Sequence, residues 1–317
     1  MENYKIIIDT LGSDKGAEEI LKGASKILED NPEVNLILVG DENLIKSFNF
    51  PKERVEIIHT TETVTNYDNP VEAFYKKPNV SIFKALEEAA KEDNVGMITA
   101  GNSGALLVGA IRFLLDEKRT RPCMAAILPN MQHSFTCLVD TGASIDVGPA
   151  QLVEFAHLGS DFMKRLYHIE SPRVGLLSNG AEPTKGNKLV KEAHKLLAEE
   201  EGINFVGNIE GNKTLAGLCD VLVCDGFAGN QVLKNSEGMA INLITEMVKY
   251  SKKTGNESIM ELVGYLMKTY DFESLGAGIV LGTKKLVLKC RGSSGASAIY
   301  NSSKILINIA KNKTLYE

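Results

Sequence analysis

Short apolar runs alternate with amphipathic stretches along nearly the whole chain. Residues 5–9, 34–40, 55–59, 95–99, 123–128, 134–140, 173–178, 204–206, 219–224 and 286–289 carry the strand pattern, and most of the intervals between them have helical periodicity. Over residues 14–28, for example, Ile20, Leu21, Ala24, Ile27 and Leu28 recur at the spacing that gathers them on one face of a helix. Further helices are predicted over 81–91, 102–115, 149–167 and 186–201, with a short one over 43–48 and a closing one over 297–312. Strands that alternate with helices predict an α/β layered fold with a mainly parallel sheet. Residues 129–132 join two strands as a hairpin, which adds an antiparallel pair and makes the expected sheet mixed. Residues 60–79, polar and punctuated by proline, read as a long surface loop. With no linker or low-complexity tract to divide it, the chain is read as a single α/β domain over 1–317.

Residues 238–270 break the alternation. Two helical patterns meet there at the polar turn 251–256, a helical hairpin that should protrude from the layered body. Its second arm places Ile259, Leu262, Val263, Leu266, Met267 and Tyr270 on one side, with Glu257, Glu261 and Lys268 opposite. That apolar side has three candidate partners: its own first arm, a second subunit, or a membrane surface approached peripherally through Lys249, Lys252 and Lys253.

Strand ends carry the candidate chemistry. After the run 219–224 the chain reads Asp225-Gly-Phe-Ala-Gly-Asn230 before helical periodicity begins, a strand, a tight turn and a helix start. Similar turns stand at 100–104, at 179–187, and more loosely at 9–14 and 291–295. Helix starts leave backbone N–H groups unpaired, and ligands of open α/β sheets lie beyond the carboxyl ends of the strands, so a phosphate-handling cleft is expected.

Composition removes several alternatives. A formal net charge of −6 and a pI near 5.6 disfavour nucleic acid as the main ligand. Five cysteines with no Cys-x-x-Cys spacing form neither a disulfide framework nor a zinc ribbon, and the histidines fall at no metal-ligand spacing. The amino terminus opens directly on a strand pattern without a secretory signal, and no apolar run is long enough to span a bilayer, so a cytoplasmic chain is expected. The Walker phosphate loop, the dinucleotide Gly-x-Gly-x-x-Gly, the nucleophile elbow and the His-Glu-x-x-His zinc motif are all missing.

The motifs Ala100-Gly-Asn-Ser-Gly-Ala-Leu106, Arg121-Pro-x-x-Ala125, Asp140-x-Gly-Ala, Pro172-Arg-Val-Gly-Leu-Leu177, Lys185-Gly-Asn187, Phe205-Val-Gly-Asn-Ile-Glu-Gly211 and Asp225-Gly-Phe-x-Gly-Asn230 follow one another in a fixed order. As an ordered set they resemble the bacterial phosphate acyltransferase (PlsX) family from residue 5 to about residue 310. The resemblance implies a three-layer α/β/α sandwich, similar to isopropylmalate dehydrogenases and phosphotransacetylases. It also implies a homodimer without metal or other cofactor, and transfer of a fatty acyl group from acyl carrier protein to inorganic phosphate. Departures fall at Asp9-Thr-Leu-Gly-Ser-Asp14, at Ala181-Glu182, at Ser144, and at Arg291-Gly-Ser-Ser294, where the family has His in place of Arg291. They leave room for a short-chain acyl phosphate-forming enzyme related to amino-acid reductase components, or a non-catalytic binder of acyl phosphate or carrier protein.

Attack of phosphate on a thioester needs an oriented dianion and donors for the tetrahedral oxyanion, because the thiolate already leaves readily. Lys185, Asn187, Asp225 and Asn230 are the candidate catalytic residues. Asp9, Gly12, Gly101, Asn102, Ser103, Gly104, Gly226, Phe227, Gly229, Arg291, Ser293 and Ser294 are the candidate substrate and phosphate contacts. Lys185 would supply a point charge and Arg291 a bidentate contact. Asp9, Asp14 and Asp225 either cap helices or accept a proton. Cys290 is either an acyl-accepting nucleophile or a buried strand-end residue.

Overall fold

A computed structural model describes residues 4–65, 67–91, 95–119, 121–269 and 277–312. The chain forms two compact units, one of Met1–Cys123 with Gly276–Glu317 and the other of Met124–Leu275. In chain order the first unit opens with β1 (Tyr4–Asp9), α1 (Ala17–Asp30), β2 (Val34–Gly40), α2 (Glu42–Ser47), β3 (Val55–His59), α3 (Pro70–Lys76), α4 (Ser81–Ala89), β4 (Gly96–Thr99) and α5 (Ser103–Phe113). The second holds β5 (Cys123–Pro129), β6 (Phe135–Val139), α6 (Pro149–Tyr167), β7 (Arg173–Ser178), α7 (Lys188–Glu199), β8 (Asn204–Glu210), β9 (Val221–Val223), α8 (Gly226–Thr254) and α9 (Ser258–Thr269). The chain then returns to the first unit with β10 (Ala277–Leu281), β11 (Leu286–Cys290) and α10 (Ala296–Asn312).

In the first unit the strands lie in the order β3-β2-β1-β4-β11-β10, all parallel except β10 against β11. Ile6, Ile7 and Ile8 are wholly buried, as a strand covered on both faces requires. Ile7, Met97 and Val287 pack under Phe83, Leu86 and Leu106 from α4 and α5. Successive strand residues point to opposite faces, so Ile6 and Ile8 face the other way, where α10 packs on β1, β4 and β11 and α1 packs on α10. Such burial contributes about 1.5–3 kcal/mol per large aliphatic side chain.

The second unit orders its strands β5-β6-β9-β7-β8, with β5 and β6 antiparallel and the others parallel. At its lower rim Arg173 grips Asp220 through Nε and Nη2, at 3.0 and 2.9 Å, tying the start of β7 to the residue before β9. The mixed, mainly parallel sheet and its helices match the expected α/β class, and the hairpin of β5 and β6 falls where residues 129–132 placed it.

Three elements differ from expectation. The supposed loop 60–79 contains α3, because Asn69 accepts hydrogen bonds from the Val71 and Glu72 amides and Pro70 occupies the first helical turn, where no N–H is missed. Strand β10, flanked by Gly282 and broken by Gly278, has too short an apolar run to stand out; its antiparallel pairing with β11 makes it a strand. The protruding arms begin earlier than residue 238, since α8 runs unbroken from Gly226 to Thr254.

Gly255, at φ 68°, stops α8 and returns its N–H to the Ser251 carbonyl at 2.8 Å. Helix α9 then packs back on α8, with Val263 buried and Ile259 and Leu266 half-buried. Leu262 and Met267, read as part of the same face, are instead 47% and 54% exposed, and Tyr270 lies outside the described residues.

Candidate active site

The upper rim of the second unit is organised by a buried carboxylate. Asp140 Oδ1 accepts from the backbone amides of Met124, Gly142 and Ala143, each at 3.0 Å, and Oδ2 accepts from Ser144 at 2.6 Å. Burial pushes the acid's pKa up, and those amides pull it back down. With both oxygens spent, Asp140 shapes the turn after β6. Against that turn lies the start of α8: Gly226 donates its N–H to the Ser144 carbonyl at 2.8 Å, and Asn230 Nδ2 donates to the Thr141 carbonyl at 3.0 Å. A Cβ at Gly229 would collide with the Asp140 carbonyl oxygen, so only glycine lets the helix come this close.

Beside it, β7 and β9 point into the first turns of α7 and α8. Asn187 caps α7 by accepting from the Val190 amide at 2.9 Å, and Asp225 caps α8 by accepting from Ala228 at 2.8 Å. Asn179 Oδ1 accepts from the Gly186 amide at 2.8 Å, and Asn208, held by His194, donates to the Glu182 carbonyl at 2.9 Å. These bonds pin the loop 180–186 from both sides. On it Lys185 is exposed, its stem lying over Gly180. Between the two helix starts is a cavity of about 460 Å³, lined by Leu176, Asn179, Asn187, Val190, Asp225 and Val232 among others.

The first unit has its own rim, built on a buried acid and a buried base. Asp9 at the end of β1 is 1% exposed; Thr99 Oγ1 donates to it at 2.7 Å and the Leu11 amide at 3.2 Å. Burial raises its pKa to about 6, against the pull of those hydrogen bonds and of the charge on Lys289. Lys289, 8% exposed on β11, donates to the carbonyls of Ala100, at 3.4 Å, and Cys290, and its pKa is lowered by burial. Asn102 caps α5 through the Ala105 amide at 2.9 Å, and Gly12, at φ 81°, brings its loop so near Gly101 that a Cβ would stand 2.8 Å from that Cα. Arg291 is half-buried, with its pKa lowered by burial.

The family model of the fatty acid synthesis protein matches residues 4–314. The phosphate acyltransferase of Thermoanaerobacter pseudethanolicus is 36% identical over 318 residues, covering 98% of this chain and 95% of that relative. That of Halothermothrix orenii is 38% identical, covering 95% and 93%. The chain belongs to the fatty acid synthesis protein (PlsX) family, that of the phosphate acyltransferases. Among solved structures, the branched-chain phosphotransacylase of Enterococcus faecalis superposes with a TM-score of 0.62 at 16% identity, covering 96% of this chain and 98% of that one. The EutD phosphotransacetylase of Staphylococcus aureus superposes with a TM-score of 0.59 at 18% identity, covering 97% and 94%. At such identities the likeness is one of fold.

For this PlsX family member, Asn187 and Asp225 line the cavity of the second unit, Lys185 stands on the loop beside it, and Phe227 is 60% exposed on the first turn of α8. Gly226, Gly229 and Asn230 serve the junction with the 140–144 turn. In the first unit Asp9 is enclosed, Ser103 and Ser293 are exposed, and Gly104 and Ser294 are half-buried. Cys290 is the buried strand-end residue: its thiol lies 3.2 Å from the Ser302 hydroxyl, and burial pushes its pKa up. Sequence reading missed Lys289, Asn179 and Asn208. Lys289 had a signal in being the single charge in the otherwise apolar run Leu286–Cys290. The partners of the two asparagines become apparent only when β7 and β8 are paired.

Proposed function

We propose that this phosphate acyltransferase transfers a long-chain acyl group from acyl carrier protein to inorganic phosphate, releasing the carrier thiol and an acyl phosphate for phospholipid synthesis in the cytoplasm. The observation that carries the reading is the match of residues 4–314 to one family model, with relatives above 35% identity along nearly the whole chain.

A phosphate oxygen attacks the thioester carbonyl carbon. The tetrahedral oxyanion collapses, the C–S bond breaks, and the thiolate takes the proton carried by the hydrogenphosphate dianion. Lys185 supplies positive charge to the phosphate, and the N-terminal turns of α7 and α8, with Asn187, Asp225 and Asn230 in their frame, supply oriented dipoles. Phe227 offers an apolar contact to the donor. The first unit's own rim, with Asn102, Ser103, the amides of residues 101–104 and the loop of Arg291, Ser293 and Ser294 on the geometry set by Asp9 and Gly12, offers hydrogen-bond donors of its own to an anion. An assay of free thiol with hexadecanoyl-carrier protein decides the matter: release must require phosphate and yield hexadecanoyl phosphate, and no phosphate-dependent release would sink the reading.

The hairpin of α8 and α9 exposes Met239, Ile241, Leu243, Tyr250, Met260 and Tyr265, each 44% or more exposed. So many large apolar side chains on one projection support its covering by a second copy of the chain.

A further inference from the structure

We propose that the cavity bounded by the ends of β7 and β9 and the first turns of α7 and α8 seats the acyl chain of the donor thioester. This rests on the acyl transfer proposed above. The walls are aliphatic: Leu152, Leu176, Val190, Ala228 and Val232, with Cys224 among them. Cys224 is a wall and not a nucleophile, because it is 3% exposed, its Sγ faces the Asp140 carbonyl at 3.4 Å, and burial raises its pKa.

Polar groups gather where Asn179, Asn187 and Asp225 meet the cavity. Each of the three already spends its Oδ1 on a backbone amide, those of Gly186, Val190 and Ala228 respectively. The asparagines therefore have their Nδ2 protons to give, which suits a carbonyl oxygen. Among the described residues, no lysine, arginine or aromatic ring lines the cavity, so its interior offers no stacking face to a nucleotide's base and no positive charge, and the phosphate is left to the mouth beside Lys185. An uncharged chain with its carbonyl at the asparagine end fits both halves of this lining, and the volume of about 460 Å³ lies within the range of small-molecule sites. Each methylene taken from water into such walls raises affinity about fourfold.

The test uses the wild-type protein and two variants of the wall. A hexadecanoyl-pantetheine carrying a photoreactive diazirine at its tail is crosslinked to wild type, and the adduct is mapped by mass spectrometry. Adducts on α8 near Val232 or on Leu152 or Leu176 support the assignment, and adducts confined to other surfaces overturn it, whatever the turnover. In parallel, Val232→Phe and Val190→Phe should each lower the ratio of hexadecanoyl to butanoyl kcat/KM at least tenfold, with thermal melting confirming the fold. An unchanged ratio in both folded variants overturns the assignment. Protection from crosslinking by acyl-free pantetheine but not by hexadecanamide would give the cavity to the carrier's arm, and also overturns it. Absence of phosphate-dependent thiol release with every donor would instead strike the acyltransferase reading, leaving the crosslink to judge the cavity.

Discussion

At the scale of single residues, the burial of Asp9 makes the sharpest claim. An acid whose folded-state pKa is raised binds more protons folded than unfolded, so stability falls as pH rises from the ordinary carboxylate value of 3.8 to about 6. That span corresponds to about 3 kcal/mol. Urea unfolding of wild type and Asp9→Asn should therefore show a difference that shifts by about 2 kcal/mol in favour of the variant between pH 4 and pH 7; a difference independent of pH would refute the burial argument. Lys185, by contrast, is exposed and free to meet a ligand. Its replacement by Ala should raise the KM for phosphate about tenfold, the order expected for one charge-assisted contact, with the fold's melting temperature unmoved. Asp9 stands at a strand end and Lys185 on the loop that follows one, and the sequence marks both. That Asp9 is sealed and Lys185 open depends on which neighbours close over each, and those come from distant stretches of chain.

Among elements, the crossing of the 140–144 turn by α8 tolerates the least change. Gly229→Ala would drive a methyl group into the Asp140 carbonyl oxygen, and the cost should be about 3 kcal/mol or more, read as a lowered urea midpoint. Asn69→Ala removes the cap of α3 and should cost about 1 kcal/mol, measured the same way. Most elements were legible beforehand, because buried parallel strands leave unbroken apolar runs and covering helices leave a 3.6-residue rhythm. Helix α3 escaped since its one buried position, Ala73, creates no rhythm, and β10 since a five-residue strand acquires its identity from β11.

For the whole molecule, the exposed apolar side chains of the α8 and α9 hairpin set the expectation. Ile241→Glu combined with Leu243→Glu should convert a sedimenting dimer into monomer; a dimer that persists would move the contact elsewhere, and a wild-type monomer that binds anionic vesicles would give the face to a membrane. Each compact unit takes its layered form from patterns the sequence carries openly: apolar runs, helical faces, helix caps, and an ordered series of strand-end turns specific enough to place the chain in its family. Those are local or statistical properties, determined residue by residue along the chain. Burial, pKa displacement and cavity shape were decided only by folding. They arise where backbone amides from one strand end reach a carboxylate on another, as at Asp140, or where a lysine near the carboxyl end of the chain comes to rest beside Asp9, and no one-dimensional pattern encodes such a meeting.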